Sequence, residues 1–268
     1  MQRIIDIDRQ ARLSTKLDCL VVRREEEKEV VVPAVEISVL ILANREIVLT
    51  SAVLSLLAKN GAAVVSLDDR HMPCAMFLPR AGHSRHTERL RLQIAASEES
   101  RAAMWRMVVE QKIEAQAKHI DDLGRKHTLR EISMVVPSEA EAQAARLYWR
   151  VLFGPEFTRR DDEDESNALL NYGYAIVRAI TARAICGAGL HPALGIHHKN
   201  QYNAFVLADD LMEPFRPVVD RAVLALKDSE FTKENKRQNA AISNIELRRI
   251  VFLQHERIAR REPSNLAS

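Results

Sequence analysis

Leu78-Pro79-Arg80-Ala81-Gly82-His83 divides this chain into two stretches of different character. Before it, short β-branched runs dominate: Leu20-Val21-Val22-Arg23 and Val30-Val31-Val32 flank the charged turn 24–28, the pattern of a hairpin. Val35-Glu36-Ile37-Ser38-Val39-Leu40-Ile41-Leu42 alternates and then turns fully apolar; Glu46–Thr50 and Ala62–Leu67 read as further strands. Between those two, Ser51–Lys59 predicts a short helix ended by Asn60-Gly61. After Pro79 the period changes. Leu90, Leu92, Ile94 and Ala95 start one helix, and Met104, Met107, Val108 and Ile113 carry a second. Ala144, Ala145, Tyr148 and Leu152 carry a third, Leu169–Ile185 a long fourth, and Leu207–Leu226 a fifth with a break expected at Pro214 and Pro217. The expected class is α+β, a small N-terminal mostly-β domain over 1–80 followed by a larger all-α domain over 81–268.

The 268 residues suffice for a core without staples. Three isolated cysteines (Cys19, Cys74, Cys186) with no C-x-x-C pair argue against a disulfide framework or a zinc ribbon and make a reducing cytoplasm the expected location. The apolar runs are too short to span a bilayer, and Met1–Asp6 lacks the apolar stretch of a signal peptide, so no membrane association is expected. A formal net charge of +2 looks unsuited to a polyanion. That balance is a sum, however: 156–165 carries a net −4, leaving +6 on the rest.

Three places carry residues suited to chemistry. Ser138-x-x-Glu141, at the head of the third helix, matches a capping box, and from spacing alone the cap is favoured over a catalytic role. Gly189–Asn200 holds His191, His197 and His198 on a Gly- and Pro-bracketed loop where packing does not demand them, although an exposed pair of this kind is often just solvated. Asp210 and Glu213 are i,i+3, which puts two carboxylates on one helix face. A solvated face with Arg216 as countercharge is the competing explanation; the neighbouring Leu207, Leu211, Phe215 and Val218 place these acids near the core boundary instead. Carboxylates with a neutral imidazole suit Mg²⁺ or Mn²⁺ better than structural zinc. A hard ion with open positions is what phosphodiester chemistry needs.

Glu141-Ala142-Gln143-Ala144-Ala145-Arg146-Leu147-Tyr148-Trp149, Leu194-Gly195-Ile196-His197-His198 and Leu207-Ala208-Asp209-Asp210-Leu211-Met212-Glu213-Pro214-Phe215-Arg216-Pro217 together resemble the CRISPR-associated spacer-acquisition integrase. Val35–Ile41 with Leu67-Asp68-Asp69-Arg70-His71-Met72-Pro73 is similar to members from type II systems. The resemblance runs in order from about residue 10 to 225 and lies in the combination of pieces. It implies a metal-dependent enzyme that inserts captured DNA by 3′-OH attack on a phosphodiester of the repeat. Carried over by motif, the metal ligands fall on Glu141, His198 and Glu213, with Asp210 the acid one turn earlier. His198 is chosen over His197 because the family's histidine closes the Gly-x-x-His turn beginning at Gly195. The family's Glu is usually followed by Gly and here by Ala142, so Glu139 stays a second candidate; Ala144-Ala145-Arg146 favours Glu141. The resemblance thereby reverses the capping-box preference.

It further implies Mg²⁺ or Mn²⁺, double-stranded DNA as both fragment and repeat, a homodimer built through the N-terminal domain, and a small ferredoxin-like CRISPR-associated partner bridging two dimers. DNA must be held by its phosphates. Arg80, Arg85, Arg89 and Arg91, opposed by Glu88 alone, are the expected contacts, and the basic interval 226–261 is a weaker candidate. Two rival readings remain: a hydrolytic endonuclease acting on branched DNA, and a non-catalytic DNA-binding scaffold.

Overall fold

The β-branched runs form strands because such side chains pack well on a pleated surface, and in the computed structural model every strand among the described residues lies before residue 78. The structure describes residues 3–25, 28–69, 72–79, 85–159 and 165–228. Arg80, His83, the acidic run 161–164 and the basic interval beyond 228 therefore lie outside it. The chain divides into two units, Met1–Val108 with Ala175–Glu213, and Val109–Tyr174 with Pro214–Ser268.

The first unit contains two four-stranded sheets. One has the order β1 (Arg3–Ile7), β5 (Ile37–Leu42), β7 (Ala63–Leu67), β8 (Pro73–Phe77); its first three strands are parallel and β8 closes it antiparallel. The other has the order β4 (Val30–Pro33), β3 (Cys19–Arg23), β2 (Arg12–Lys16), β6 (Val48–Leu49). The expected hairpin is β3–β4, with Leu20 opposite Val32. Helix α1 (Ser51–Lys59) has the expected bounds, and Gly61, at φ +70°, makes the turn into β7. Ile7, Leu13, Leu20, Ile37, Leu40, Val53, Leu57 and Val64 share one core, so both sheets and α1 are sealed by the same apolar faces.

Three strands have no clear sequence signal. The tight turn joining β2 and β3 is made by Leu17 and Asp18, both at positive φ, where Asn-Gly would be usual. β1 and β8 are short edge strands. The expected strand at 46–50 shrinks to two residues, and a 3₁₀ turn over Ala34–Glu36 precedes β5.

Helix α2 (His86–Ala95), part of α3 (Glu98–Asp122), part of α5 (Glu165–Gly187) and α6 (Val206–Met212) complete this unit. Ala182, Ile185, Leu207 and Ala208 are buried together, with Met76 and Leu78 against them. Arg183 donates to the Gly61 carbonyl at 2.5 Å. The second unit holds the remainder of α3 and α5, α4 (Pro137–Phe153) and α7 (Arg216–Asp228). Ala140, Ala144, Tyr148 and Leu152 form the buried stripe of α4, one residue per turn. Arg125 donates to the Val151 and Leu152 carbonyls at 2.6 and 2.8 Å and satisfies that helix's C-terminus. The expected break in the fifth helical segment is real: α6 stops at Met212, Glu213–Phe215 is a 3₁₀ turn, and α7 takes Pro217 in its first turn. Among the described residues no helix is long and apolar enough to cross a membrane.

Candidate active site

The capping box is absent. Helix α4 begins at Pro137 with Val136 as its N-cap and no side-chain cap hydrogen bond, so Ser138 already lies within the first turn. Pro at the first helical position needs no cap for its missing N–H, which moves the start one residue earlier than the motif requires. Glu141 is free for another role. Its Oε1 accepts from the Lys112 ammonium at 2.7 Å, with the two side chains 20% and 11% exposed. Glu139 is exposed. Both Glu141 and Lys112 belong to the second unit.

In the first unit the histidine loop is a loop, as expected, and it is tightly held. Gln93 on α2 donates to the carbonyls of His191 and Leu194, both at 3.0 Å, and accepts from the His191 amide at 2.9 Å. His86 meets the Gly189 carbonyl at 3.1 Å, and Leu207 donates to the Pro192 carbonyl at 2.7 Å. This frame brings residues 195–198 over α6.

There Asp210 is fully buried and accepts four hydrogen bonds. Oδ2 takes the amides of Ile196 and His197 at 2.8 and 3.0 Å; Oδ1 takes the amide of His198 at 3.4 Å and its Nδ1–H at 2.6 Å. Three consecutive amides converge on one carboxylate because Gly195 lets the chain pass close: a Cβ there would lie 2.5 Å from Val206 Cγ1 and 2.7 Å from the His198 carbonyl oxygen. With Nδ1 bound to a carboxylate, the imidazole of His198 is fixed as the tautomer whose Nε2 carries a lone pair. Its side chain is 52% exposed.

His197 is engaged elsewhere. Its ring stacks on Trp105, centroids 4.3 Å apart and 5° from parallel, and His198 meets the same indole edge-on at 5.4 Å. The two rings are thus held differently: His197 is packed against an aromatic face and His198 is aimed by a carboxylate. Asp209 pairs with Arg178 at 2.6 Å and accepts from Asn203 at 2.7 Å, bracing the start of α6. Glu213, 7% exposed, follows Asp210 by one turn. The reading of these two acids as a solvated helix face is therefore overturned, because both are buried, Asp210 beneath the amides of residues 196–198.

Of the expected DNA contacts, Arg85 pairs with Glu88 and Arg89 donates to the Ala188 carbonyl at 2.5 Å. Arg91 is exposed. An open cleft of about 1400 Å³ in this unit borders His198, with Leu92, Met104 and Tyr202 on its apolar wall and Arg89, Arg101 and Lys199 along it. Sequence reading passed over Lys112 and Trp105, and used Gly195 only as the start of the Gly-x-x-His turn. Only Lys112 carries a signal there, as a charge between the apolar Val108, Val109 and Ile113 of one helix.

A sequence profile of the family described as CRISPR associated protein Cas1 matches residues 6–256. The chain belongs to the Cas1 family. It is 39% identical over 231 residues to the CRISPR-associated endonuclease Cas1 of Neisseria meningitidis serogroup C (strain 8013), covering 84% of this chain and 75% of that one. It is 32% identical over 247 residues to a CRISPR-associated endonuclease Cas1 of Pyrobaculum aerophilum, covering 84% and 82%. The fold is shared with a casposase solved bound to its integration product (TM-score 0.75, 20% identity, 94% of this chain and 82% of that one). A Cas1 protein from Thermotoga maritima has it too (TM-score 0.69, 16% identity, 95% of each chain). The α+β order of strands followed by helices is therefore the Cas1 order.

Among the described residues no three His, Cys, Asp or Glu side chains stand gathered as a metal cluster. Within the first unit, Glu213 and His198, whose Nδ1 is already bound to a carboxylate, are donor types that suit a hard divalent ion.

Proposed function

We propose that this Cas1 protein is a metal-dependent DNA integrase that joins a captured fragment to a CRISPR repeat. The observation that carries it is His198, with Nδ1 held by buried Asp210 at 2.6 Å and Nε2 left for a ligand. Glu141, His198 and Glu213 are the residues assigned to hold Mg²⁺ or Mn²⁺. Asp210, its lone pairs occupied by four donors, positions His198 and is not itself a ligand. A divalent ion held by these residues supplies charge stabilisation at the attacked phosphate and lowers the cost of ionising the attacking hydroxyl.

The reaction is a transesterification. The 3′-oxygen of the fragment forms a bond to phosphorus, the bond from phosphorus to the 3′-oxygen of the repeat strand breaks, and the hydroxyl proton passes through solvent to that leaving oxygen. Bond count is conserved, so neither a covalent protein–DNA intermediate nor an energy source is needed. The cleft beside His198 has a form suited to a DNA end: apolar surface for bases, with Arg89, Arg101 and Lys199 for phosphates. Arg85, Arg89 and Arg91 are assigned to the same backbone, with Arg89 also tied to the protein chain. The relatives are named endonucleases, which supports a nucleic-acid substrate, and one structure sharing the fold is a Cas6-RT-Cas1–Cas2 complex (TM-score 0.66, 16% identity, 97% of this chain and 34% of that one). A homodimer joined through the N-terminal β-rich region and bridged by a small ferredoxin-like partner, acting in the cytoplasm, completes the proposal.

The test is strand transfer with fragment DNA, repeat DNA, the partner and Mn²⁺. Wild type yields joined products; Glu141→Ala, His198→Ala and Glu213→Ala lose them while still binding DNA. A wild type that binds DNA and joins nothing sinks the integrase reading. Cleaved but unjoined products would favour hydrolysis, the activity in the relatives' name, with water as the nucleophile.

A further inference from the structure

Helix α3 turns polar side chains inward: Lys112, Gln116 and His119 are 8%, 3% and 0% exposed. They lie at i, i+4 and i+7, on the face that also buries Val109, Ile113 and Ile120. A lysine ammonium does not stay in such surroundings unless its charge is met. Here the Glu141 carboxylate meets it, Nζ to Oε1 at 2.7 Å, with neither side chain open to water by more than a fifth.

Glu141 is also a proposed metal ligand, so one carboxylate serves two cations of different kind. An ammonium on Oε1 orients the group and leaves Oε2 as the oxygen for a second cation. It also places a positive charge within a few ångströms of any divalent ion bound there. Because the site is partly buried, that repulsion is weakly screened. We infer that Lys112 is a positioning residue and resident cation of the metal site. It holds the Glu141 carboxylate in place and keeps the free protein's affinity for divalent ions low. The inference rests on Glu141 being a ligand.

Mn²⁺ binding to the full-length protein without DNA, followed by the electron paramagnetic resonance of free Mn²⁺, reads this directly. Lys112→Met removes the charge and keeps the stem; Lys112→Gln also keeps a hydrogen-bond donor and decides the matter should Lys112→Met fail to fold. Either neutral variant binds Mn²⁺ at least about ten-fold more tightly than wild type, whereas Lys112→Arg, which keeps the charge, stays within about three-fold of it. In chelator the neutral variant melts below wild type, and saturating Mn²⁺ narrows the gap because the ion replaces the lost countercharge. Unchanged or weaker Mn²⁺ binding in the neutral variants overturns the inference. Failure of the underlying assignment looks different: Glu141→Gln would then bind Mn²⁺ as wild type does.

Discussion

Asp210 and His198 form a carboxylate–imidazole pair in the candidate site, and the carboxylate is the fully buried partner. A buried carboxylate with four donors is anchored to the loop backbone and transmits that rigidity to the ring. Asp210→Asn keeps the shape, but its amide nitrogen must face amide N–H groups that need an acceptor. The expected outcome is a loss of strand transfer of about 10²-fold and a lower melting temperature. Imidazole nitrogen NMR checks the cause: Nδ1 of His198 is protonated in wild type and loses that preference in the variant.

Gly195→Ala tests the approach that makes this possible. Its Cβ would sit 2.5 Å from Val206 Cγ1, 2.7 Å from the His198 carbonyl oxygen and 3.0 Å from Asp210 Oδ2. The carbonyl belongs to the loop itself and can move only by disturbing the amides that Asp210 holds. Destabilisation of about 1–3 kcal/mol is expected in denaturant unfolding, with activity lost alongside. A Gly195→Ala protein as stable and active as wild type would show the loop to be far softer than its hydrogen bonds indicate.

Ser138→Ala separates the helix start observed from the one its motif suggests. Without a capping hydrogen bond to lose, the change should fall within about 0.5 kcal/mol of wild type. A cost near 1 kcal/mol would restore the cap.

The second unit carries a buried chain of titratable groups. His119 Nδ1 meets Tyr148 OH at 2.7 Å, Tyr148 donates to Asp220 at 2.8 Å, and Tyr174 donates to the other oxygen of Asp220. Burial pushes the Asp220 carboxyl up to about 7, against the opposing pull of the two tyrosine hydroxyls and of Arg216 and Arg159. Burial pushes His119 down to about 4, aided by Arg221. A raised carboxyl stabilises the fold below its ordinary value of 3.8 and loses that contribution as pH rises through about 7. A lowered imidazole contributes above its ordinary 6.5 and loses it as pH falls through about 4. Between pH 4 and 6.5 the two proton linkages oppose each other. Asp220→Asn should therefore destabilise on acidification through this window, by up to about 1.4 kcal/mol per pH unit, and His119→Gln should do the reverse. Thermal melting across the window checks both; parallel slopes in the two variants would exclude the linkage.

Much of the outline was readable in the chain. Helix α1, the β3–β4 hairpin and the proline break after Met212 follow from local patterning: apolar period, Asn-Gly after the helix, a missing N–H. β1, β2 and β8 were not readable, because short edge strands have little periodicity and Leu17-Asp18 is an unusual pair for the turn it makes. The histidine loop and the acidic pair were visible as candidates. Spacing favoured the cap for Glu141 and could not separate His197 from His198.

Residue type and order thus determined the α+β plan, the Cas1 motifs and the short set of side chains able to bind a cation, since these depend on near neighbours in the chain. Tertiary structure alone decided what each does. Lys112 and Glu141 are 29 residues apart, and His198 and Asp210 are 12 apart. Which donor meets which carboxylate is settled by helices packing at a distance, and burial then decides whether an acid is solvated, paired or holding a ring.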